Sequence, residues 1–321
     1  MHGLLRGVLM IACALLSSIA SSQPYPSKPV RVIVNFPPGA GVDIATRLVT
    51  AKLAETLGQQ FLVDNRAGAA GNIGVELAAR AAPDGYTLLC ATAAAAISQT
   101  VFTRISFDLN RDFTPVAMLA SAPFALAVHP SVPARSLQEL IALAKSRPGQ
   151  LSYATPGTGS SPHLAGELLK MQAGIDILHV PYKGMVPAAT DVMGGNVPIL
   201  FGNTLVVLPS VRSGRLRGLA ITSARRSSVA PELPTIAESG FPGFESGTWY
   251  GMMAPARTPR EIVTRLNGAV VHAVQLADVR EKLIAQGAEP MSATPEQMGA
   301  FVRGEIAKWG KVAKAAGIRP E

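Results

Sequence analysis

The sequence has almost no cysteine: of 321 residues only Cys13 and Cys90 carry thiols. A disulfide scaffold is therefore excluded, and stability has to come from the size of the core. Charged residues make up 16% and aromatic residues 5%, too little charge for a disordered, solvated chain. Lys and Arg form no dense basic element; the closest runs, Arg212 to Arg217 and Arg225–Arg226, are short and carry no interleaved aromatics. No nucleic-acid partner is expected. No stretch after residue 22 approaches the roughly 18 uninterrupted apolar residues of a membrane span. There is also no Walker motif, no G-x-S-x-G nucleophile elbow, and no His/Cys/Asp cluster with metal-ligand spacing. Neither a metal nor a cofactor is expected.

What is present is core. Hydrophobic residues reach 48%, with 30 glycines, a balance that favours close helix–sheet packing. Residues 1–22 stand apart: His2 and Arg6 open them, Val8 to Leu16 is almost wholly apolar, and Ser17 to Ser22 is small and polar. That is the layout of a secretory signal peptide cut after Ala20 or Ser22, and it predicts a periplasmic protein. A lipoprotein-type cut before Cys13 would leave only twelve residues of signal. The net charge of +8 falls to +7 without Arg6, a mildly favourable field for acidic ligands. With the leader gone Cys90 stands alone, in the apolar run Thr87 to Thr92, as an inert core thiol.

The stretch Arg31 to Arg47 organises the rest. Arg31 to Phe36 reads as a buried strand, Pro37-Pro38-Gly39-Ala40-Gly41 forces a turn, and Ile44, Leu48, Ala51, Leu53 and Leu57 recur at helical spacing, with Asp43 as the expected N-cap. Strand, glycine loop and helix start together gather free backbone N–H groups at one point, a site for an anion; the same residues also fit a βα connection that binds nothing. Phe61 to Asn65 and Tyr86 to Thr92 continue as strands, with a helix from about Asn72 to Ala82 between them. The alternation predicts an α/β fold with a mostly parallel sheet, whose ligands bind beyond the carboxyl ends of the strands.

Pro115 to His129 is too long for one ordinary strand and is interrupted by Pro123, so it reads as a crossing between two lobes. A second α/β series follows, with strands at Leu151–Ala154, Ile177–Pro181, Val197–Phe201 and Leu216–Thr222. The expected division is residues 1–22 leader, 23–122 first lobe, 123–222 second lobe, and 223–321 return to the first lobe with three C-terminal helices. Two lobes joined by crossing strands imply a cleft, where a site is to be sought. The second series carries its own glycine–hydroxyl loop, Thr155-Pro-Gly157-Thr158-Gly159-Ser160-Ser-Pro-His163, ahead of a helix. Ser160 with His163 could suggest a hydrolase, but the spacing is wrong for a nucleophile and its base, and His163 reads as a capping or packing residue. Nothing supplies a paired acid and base. The residues argue for holding a ligand rather than transforming it.

Blocks spread along the chain also match a family pattern: Tyr25-Pro-Ser-Lys-Pro-Val-Arg31, Phe36-Pro-Pro-Gly-Ala-Gly-Val-Asp43, Asn65-Arg-Ala-Gly-Ala-Ala-Gly71, Asp84-Gly-Tyr-Thr-Leu-Leu89, Asp112-Phe-Thr-Pro-Val116, His179-Val-Pro-Tyr-Lys-Gly184, Pro231-Glu-Leu-Pro-Thr235 and Gly251-Met-Met-Ala-Pro-Ala256. With them the chain resembles the substrate-binding proteins of tripartite tricarboxylate transporters, the Bug family. The resemblance implies a type II periplasmic binding fold with two hinged lobes; a monomer is expected. It implies that the loops Phe36–Asp43 and Thr155–His163 clasp the carboxylate of a small organic acid, which is passed to the membrane subunits of a transporter or sensed for signalling. Tyr182 and Lys183, in the sixth block, join the candidate contacts. Two departures matter. Relatives often carry Thr-His-Ala-Ile-Asn where this chain has Ala94-Ala-Ala-Ile-Ser98, and an acidic residue beside the asparagine at Asn203, where this chain has Gly202. The wall formed by Thr92, Ala94 and Ser98 is therefore expected to be more apolar, and an ammonium group on the ligand loses one partner. A carboxylate with an apolar or aromatic body is expected.

Overall fold

The computed structural model describes residues 25–318. The leader expected over residues 1–22, Cys13 included, lies outside them. Strand β1 (Val30–Val34) pairs in parallel with β2 (Phe61–Asn65) on one side and β3 (Thr87–Thr92) on the other. Helix α1 (Gly41–Leu57) makes the first crossover, and α2 (Asn72–Ala79), entered through a short 3-10 turn at Ala69–Gly71, makes the second. The period-2 signal is visible in the packing. Val30, Val32 and Val34 join one core cluster with Leu88 and Cys90, while Ile33, Leu89 and Ala91 join another on the opposite face. Burial pushes the Cys90 thiol up to about 12, against a hydrogen bond with Thr46.

Two local expectations change. Helix α1 begins at Gly41 with Ala40 as its N-cap, so Asp43 lies in the first turn, where its carboxylate reaches back to the Gly39 N–H at 2.9 Å. Residues 93–101 form a further helix, α3 (Ala93–Val101), directly after β3. The alanine run hid it because most of its side chains are buried, leaving no polar face to mark a helical period.

Residues 113–128 are one continuous strand, β4 (Phe113–Val128), and not an interrupted crossing. Pro123 is tolerated because it stands at a handover. Up to Pro123, opposite Gly247, β4 pairs antiparallel with β9 (Gly247–Pro255); from Phe124 onward it pairs with β7 (Ile199–Asn203), and from Ala125 also with β8 (Arg217–Ile221). The missing N–H falls where the ladder changes partner. Beyond it lie α4 (Leu137–Ser146), β5 (Ser152–Thr155), α5 (Ser161–Ala173), β6 (Leu178–Pro181), α6 (Met185–Met193) and α7 (Thr204–Arg212). Helix α7 was not visible in the sequence, since Pro209 sits inside it. The strand order is β2-β1-β3-β9-β4-β7-β5-β6, a mixed sheet in which β9 is inserted antiparallel between β3 and β4. Strand β10 (Glu289–Pro290) adds to β4.

The C-terminal helices are α8 (Arg260–Gln275), α9 (Ala277–Ala285) and α10 (Pro295–Ala315). Val263, Leu266 and Val270 of α8 pack with the β1 core, on the first lobe. Helix α10 divides. Met298 and Val302 pack with Ile33 and Leu89, whereas Trp309, Val312 and Ala313 pack with Tyr153 and Leu164 of the second lobe. Among the described residues no helix is long and apolar enough to cross a membrane.

Candidate functional site

Between the two half-sheets lies a cavity of about 390 Å³, within the size range of small-molecule sites. Four helix starts reach its wall: Ala40 and Gly41 at α1, Thr92 and Ala94 at α3, Ser160 and Ser161 at α5, and Asn203 before α7. The first N–H groups of a helix have no partner within it, and each helix brings roughly half a positive charge to its start. No lining residue carries a formal charge. The site is thus electropositive without a cation, through backbone alone.

Around these starts stand neutral polar groups. The Thr92 hydroxyl is fully buried and without a hydrogen-bond partner. Tyr250 comes in from β9; burial raises its hydroxyl well above the usual tyrosine range, so it stays a protonated donor. Thr248, two residues earlier on the same face of β9, also lines the wall, while Trp249 between them points into the opposite core. The remaining wall is apolar, with Ile97, Val101, Phe102, Phe124 and Ile318.

Of the residues singled out in the sequence, Phe36, Ala40, Gly41, Thr92, Ala94, Ser98, Gly157, Thr158, Gly159, Ser160 and Asn203 line this one cavity. Seven others lie off its wall. Pro38 and Gly39 are exposed at the tip of the first loop. Asp43 is turned inward, its carboxylate accepting from Gly39 N–H, Arg47 Nε (2.9 Å) and Asn65 Nδ2 (3.0 Å). Burial raises its pKa, but these hydrogen bonds outweigh it and hold the group below the usual carboxylate range. Tyr182 donates to Asp191, and Lys183 is exposed. Thr155 and His163 support the second loop from beneath.

That support is a stack of two imidazoles. His163 and His179 lie with ring centroids 3.8 Å apart and planes 16° from parallel. His163 Nδ1 accepts the Gly159 N–H at 3.0 Å, and His179 Nε2 meets Thr155 Oγ1 at 2.6 Å. Burial, aided by Lys170, lowers His163 to about 4; burial and its neighbour His163, opposed by Glu167, lower His179 to about 4. Both rings are neutral at pH 7. Ser160 Oγ donates to the Gly157 carbonyl at 2.6 Å and accepts from the His163 backbone N–H at 3.4 Å, so no contact joins its hydroxyl to the imidazole as nucleophile to base.

Sequence reasoning expected an apolar wall near Ala94 but missed Tyr250, Thr248 and the apolar side chains Val101, Phe102, Phe124 and Ile318. A signal for Tyr250 exists in hindsight at Gly41, where only a residue without a side chain leaves room for the ring.

The profile of the tripartite tricarboxylate transporter family receptor matches residues 45–318. The protein BugT of Bordetella pertussis is 39% identical over 313 residues, covering 97% of this chain and 96% of its own. Among solved structures, the R. palustris protein Rpa4515, solved with adipate, superposes with a TM-score of 0.78 at 39% identity, over 92% of this chain and all of its own. MatC of Rhodopseudomonas palustris, solved with bound malate, gives 0.73 at 33% identity, over 90% and 99% of the two chains. By sequence and by fold, this chain belongs to the tripartite tricarboxylate transporter receptor family.

Proposed function

We propose that this protein is a periplasmic solute-binding protein that captures a small organic carboxylate in the interlobe cleft and delivers it to the membrane subunits of a tripartite tricarboxylate-type transporter. One observation carries the reading: four helix starts and the unpartnered Thr92 hydroxyl face one cavity that contains no charged side chain. An anion is favoured by such a wall and a cation is not. Each helix start contributes ~0.3–1 kcal/mol, and about 2 when partly buried. Together with charge-assisted hydrogen bonds this reaches the roughly −8 kcal/mol of micromolar affinity without an arginine. The adipate and malate held by the two solved relatives support a carboxylate.

The rest of the wall selects the body of the ligand. No carboxylate side chain faces the cavity, so the ammonium of an amino acid finds no ionic partner, while Ile97, Val101, Phe102 and Phe124 offer an apolar or aromatic body a surface. A thermal-shift and calorimetric screen of carboxylic acids tests this. At a hundredfold excess over Kd, a specific acid stabilises the protein by about 2.7 kcal/mol, which raises Tm by roughly 5–10 °C. Aromatic, aliphatic and dicarboxylic acids are expected to outrank aspartate and glutamate; the reverse order would defeat the proposed selectivity, and no response from any acid would defeat the site.

A further inference from the structure

The apolar end of the cavity is built partly from the far end of the chain. Val101 and Phe102 come from the end of α3, Phe124 from β4, and Ile318 from beyond α10, and all four belong to one continuous packing cluster. Ile318 is three residues past the end of its helix, yet its place is fixed. Gly317 adopts the left-handed conformation (φ +65°), its N–H donates to the Lys314 carbonyl at 3.2 Å, and the Ile318 N–H donates to the Ala313 carbonyl at 3.0 Å. That pair of bonds is a Schellman motif, in which the residue after the glycine folds back onto the last turn. The helix is itself anchored beside the cleft by Trp309, Val312 and Ala313, all buried in the same cluster. Ile318 is therefore held as a wall.

We propose that Ile318 is a specificity-determining residue, setting with Val101 and Phe102 the length of the apolar body that the cleft accepts. The inference rests on the reading of the cleft as a carboxylate site. If the helix starts at α1 and α5 pin the carboxylate, the body of the ligand has to run toward the apolar wall, and its reach ends where that wall stands. Each methylene that finds apolar cover gains about fourfold in affinity, and one that meets a fixed side chain loses at least as much.

The test is calorimetry on the purified protein and its Ile318→Ala and Ile318→Trp variants, with straight-chain mono- and dicarboxylates of four to ten carbons. The alanine variant is expected to move the best-bound chain length up by one or two carbons, with a gain of about fourfold for the longer acid. The tryptophan variant is expected to move it down, while the shortest acid bound keeps its affinity within about twofold in all three proteins. Gly317→Ala, which changes no cavity-lining side chain but strains the cap, is expected to blunt the length preference without inverting it. If wild type binds acids and both Ile318 variants keep the same length ranking within twofold, Ile318 does not set the length, and the carboxylate site still stands. If wild type binds none of the acids, the carboxylate reading fails and this inference falls with it.

Discussion

A β-carbon on Gly41 would lie 2.4 Å from the hydroxyl oxygen of Tyr250 and 3.3 Å from the ring carbon that bears it. Gly41 is the first residue of α1, and Tyr250 is a buried residue of a central strand whose ring lines the cavity, so a side chain at Gly41 would displace the ring within the cleft. The absence of one side chain lets a phenol reach the anion end of the cleft. Gly41→Ala is expected to weaken acid binding at least tenfold by pushing the ring across the helix start. Tyr250→Phe alone is expected to lose about ten- to a hundredfold, the worth of one hydrogen bond to a charged group. In the double variant the oxygen clash is gone but the tight ring contact stays, so the losses should be less than additive. Additive losses in a calorimetric double-mutant cycle would mean that the two residues do not share the space.

Asp43 shows how the first loop keeps its shape. Its carboxylate is almost fully buried and joins the loop tip, α1 and the end of β2 through Gly39, Arg47 and Asn65. Asp43→Ala leaves those donors unpaired and is expected to cost about 1–3 kcal/mol in chemical denaturation. The folded pKa is depressed, so the stabilisation is fully present above the unfolded value of about 3.9 and is lost as pH falls through the folded value. A variant as stable as wild type at pH 7 would show that the loop does not depend on this carboxylate.

Much of this loop was legible in the sequence, and the reasons are local. Pro37-Pro38-Gly39 breaks β1 from α1 by backbone chemistry alone, and the repeated glycine–hydroxyl pattern at Gly157–Ser160 announced the second loop. What stayed hidden is non-local. Tyr250 reaches the site only because β9 inserts between β3 and β4, a pairing of Thr92 with Tyr250 across more than a hundred residues that no short-range pattern encodes. Ile318 depends on where α10 ends relative to the other lobe. Asp43 was misplaced because an acidic residue near a helix start fits either the N-cap or the first turn, and only the φ,ψ of Ala40 decides between them.

The stacked imidazoles make the second loop sensitive to acid. Both are depressed to about 4 in the folded chain, against about 6.5 unfolded. Between those values the unfolded chain holds more protons, so stability falls as pH drops from about 6.5 toward 4 and is fully present above that window. The groups facing the pair are Tyr153, Glu167 and Lys170; Glu167 already accepts from Tyr153 at 2.5 Å and from Lys170 at 2.9 Å. A protonated Nδ1 on His163 cannot accept the Gly159 N–H, so acid should loosen the loop and weaken ligand binding together. Tm is expected to fall from pH 7.5 through 6 to 5, whereas Kd should hold over that range and worsen only as pH nears about 4, where the folded imidazoles take up protons; His179→Gln should flatten the Tm trend. A flat wild-type Tm between pH 7.5 and 5 would rule the pair out as the cause of acid sensitivity.

Glu305 ties β9 to the C-terminal helix α10. Its Oε2 accepts from the indole N–H of Trp249, on β9, at 3.2 Å and from that of Trp309, on α10, at 3.0 Å, while Oε1 pairs with Lys308. Glu305 is only 6% exposed, and both indoles are buried. Removing the carboxylate leaves two buried N–H donors unsatisfied, each costing about 1–3 kcal/mol, and takes away one partner of the partly exposed Lys308. Glu305→Ala is expected to destabilise the protein by about 3–5 kcal/mol, and Glu305→Gln, which keeps one acceptor, by about 1–2 kcal/mol. Trp249 and Trp309 are the only two tryptophans of the chain, so denaturation followed by intrinsic fluorescence reads this junction directly. A shifted emission maximum in the folded Ala variant should accompany the loss, because both indoles exchange the same partner for water or for nothing. If that variant unfolds within about 0.5 kcal/mol of wild type with unchanged emission, the carboxylate is not what joins β9 to α10, and apolar packing of the two rings alone holds the junction.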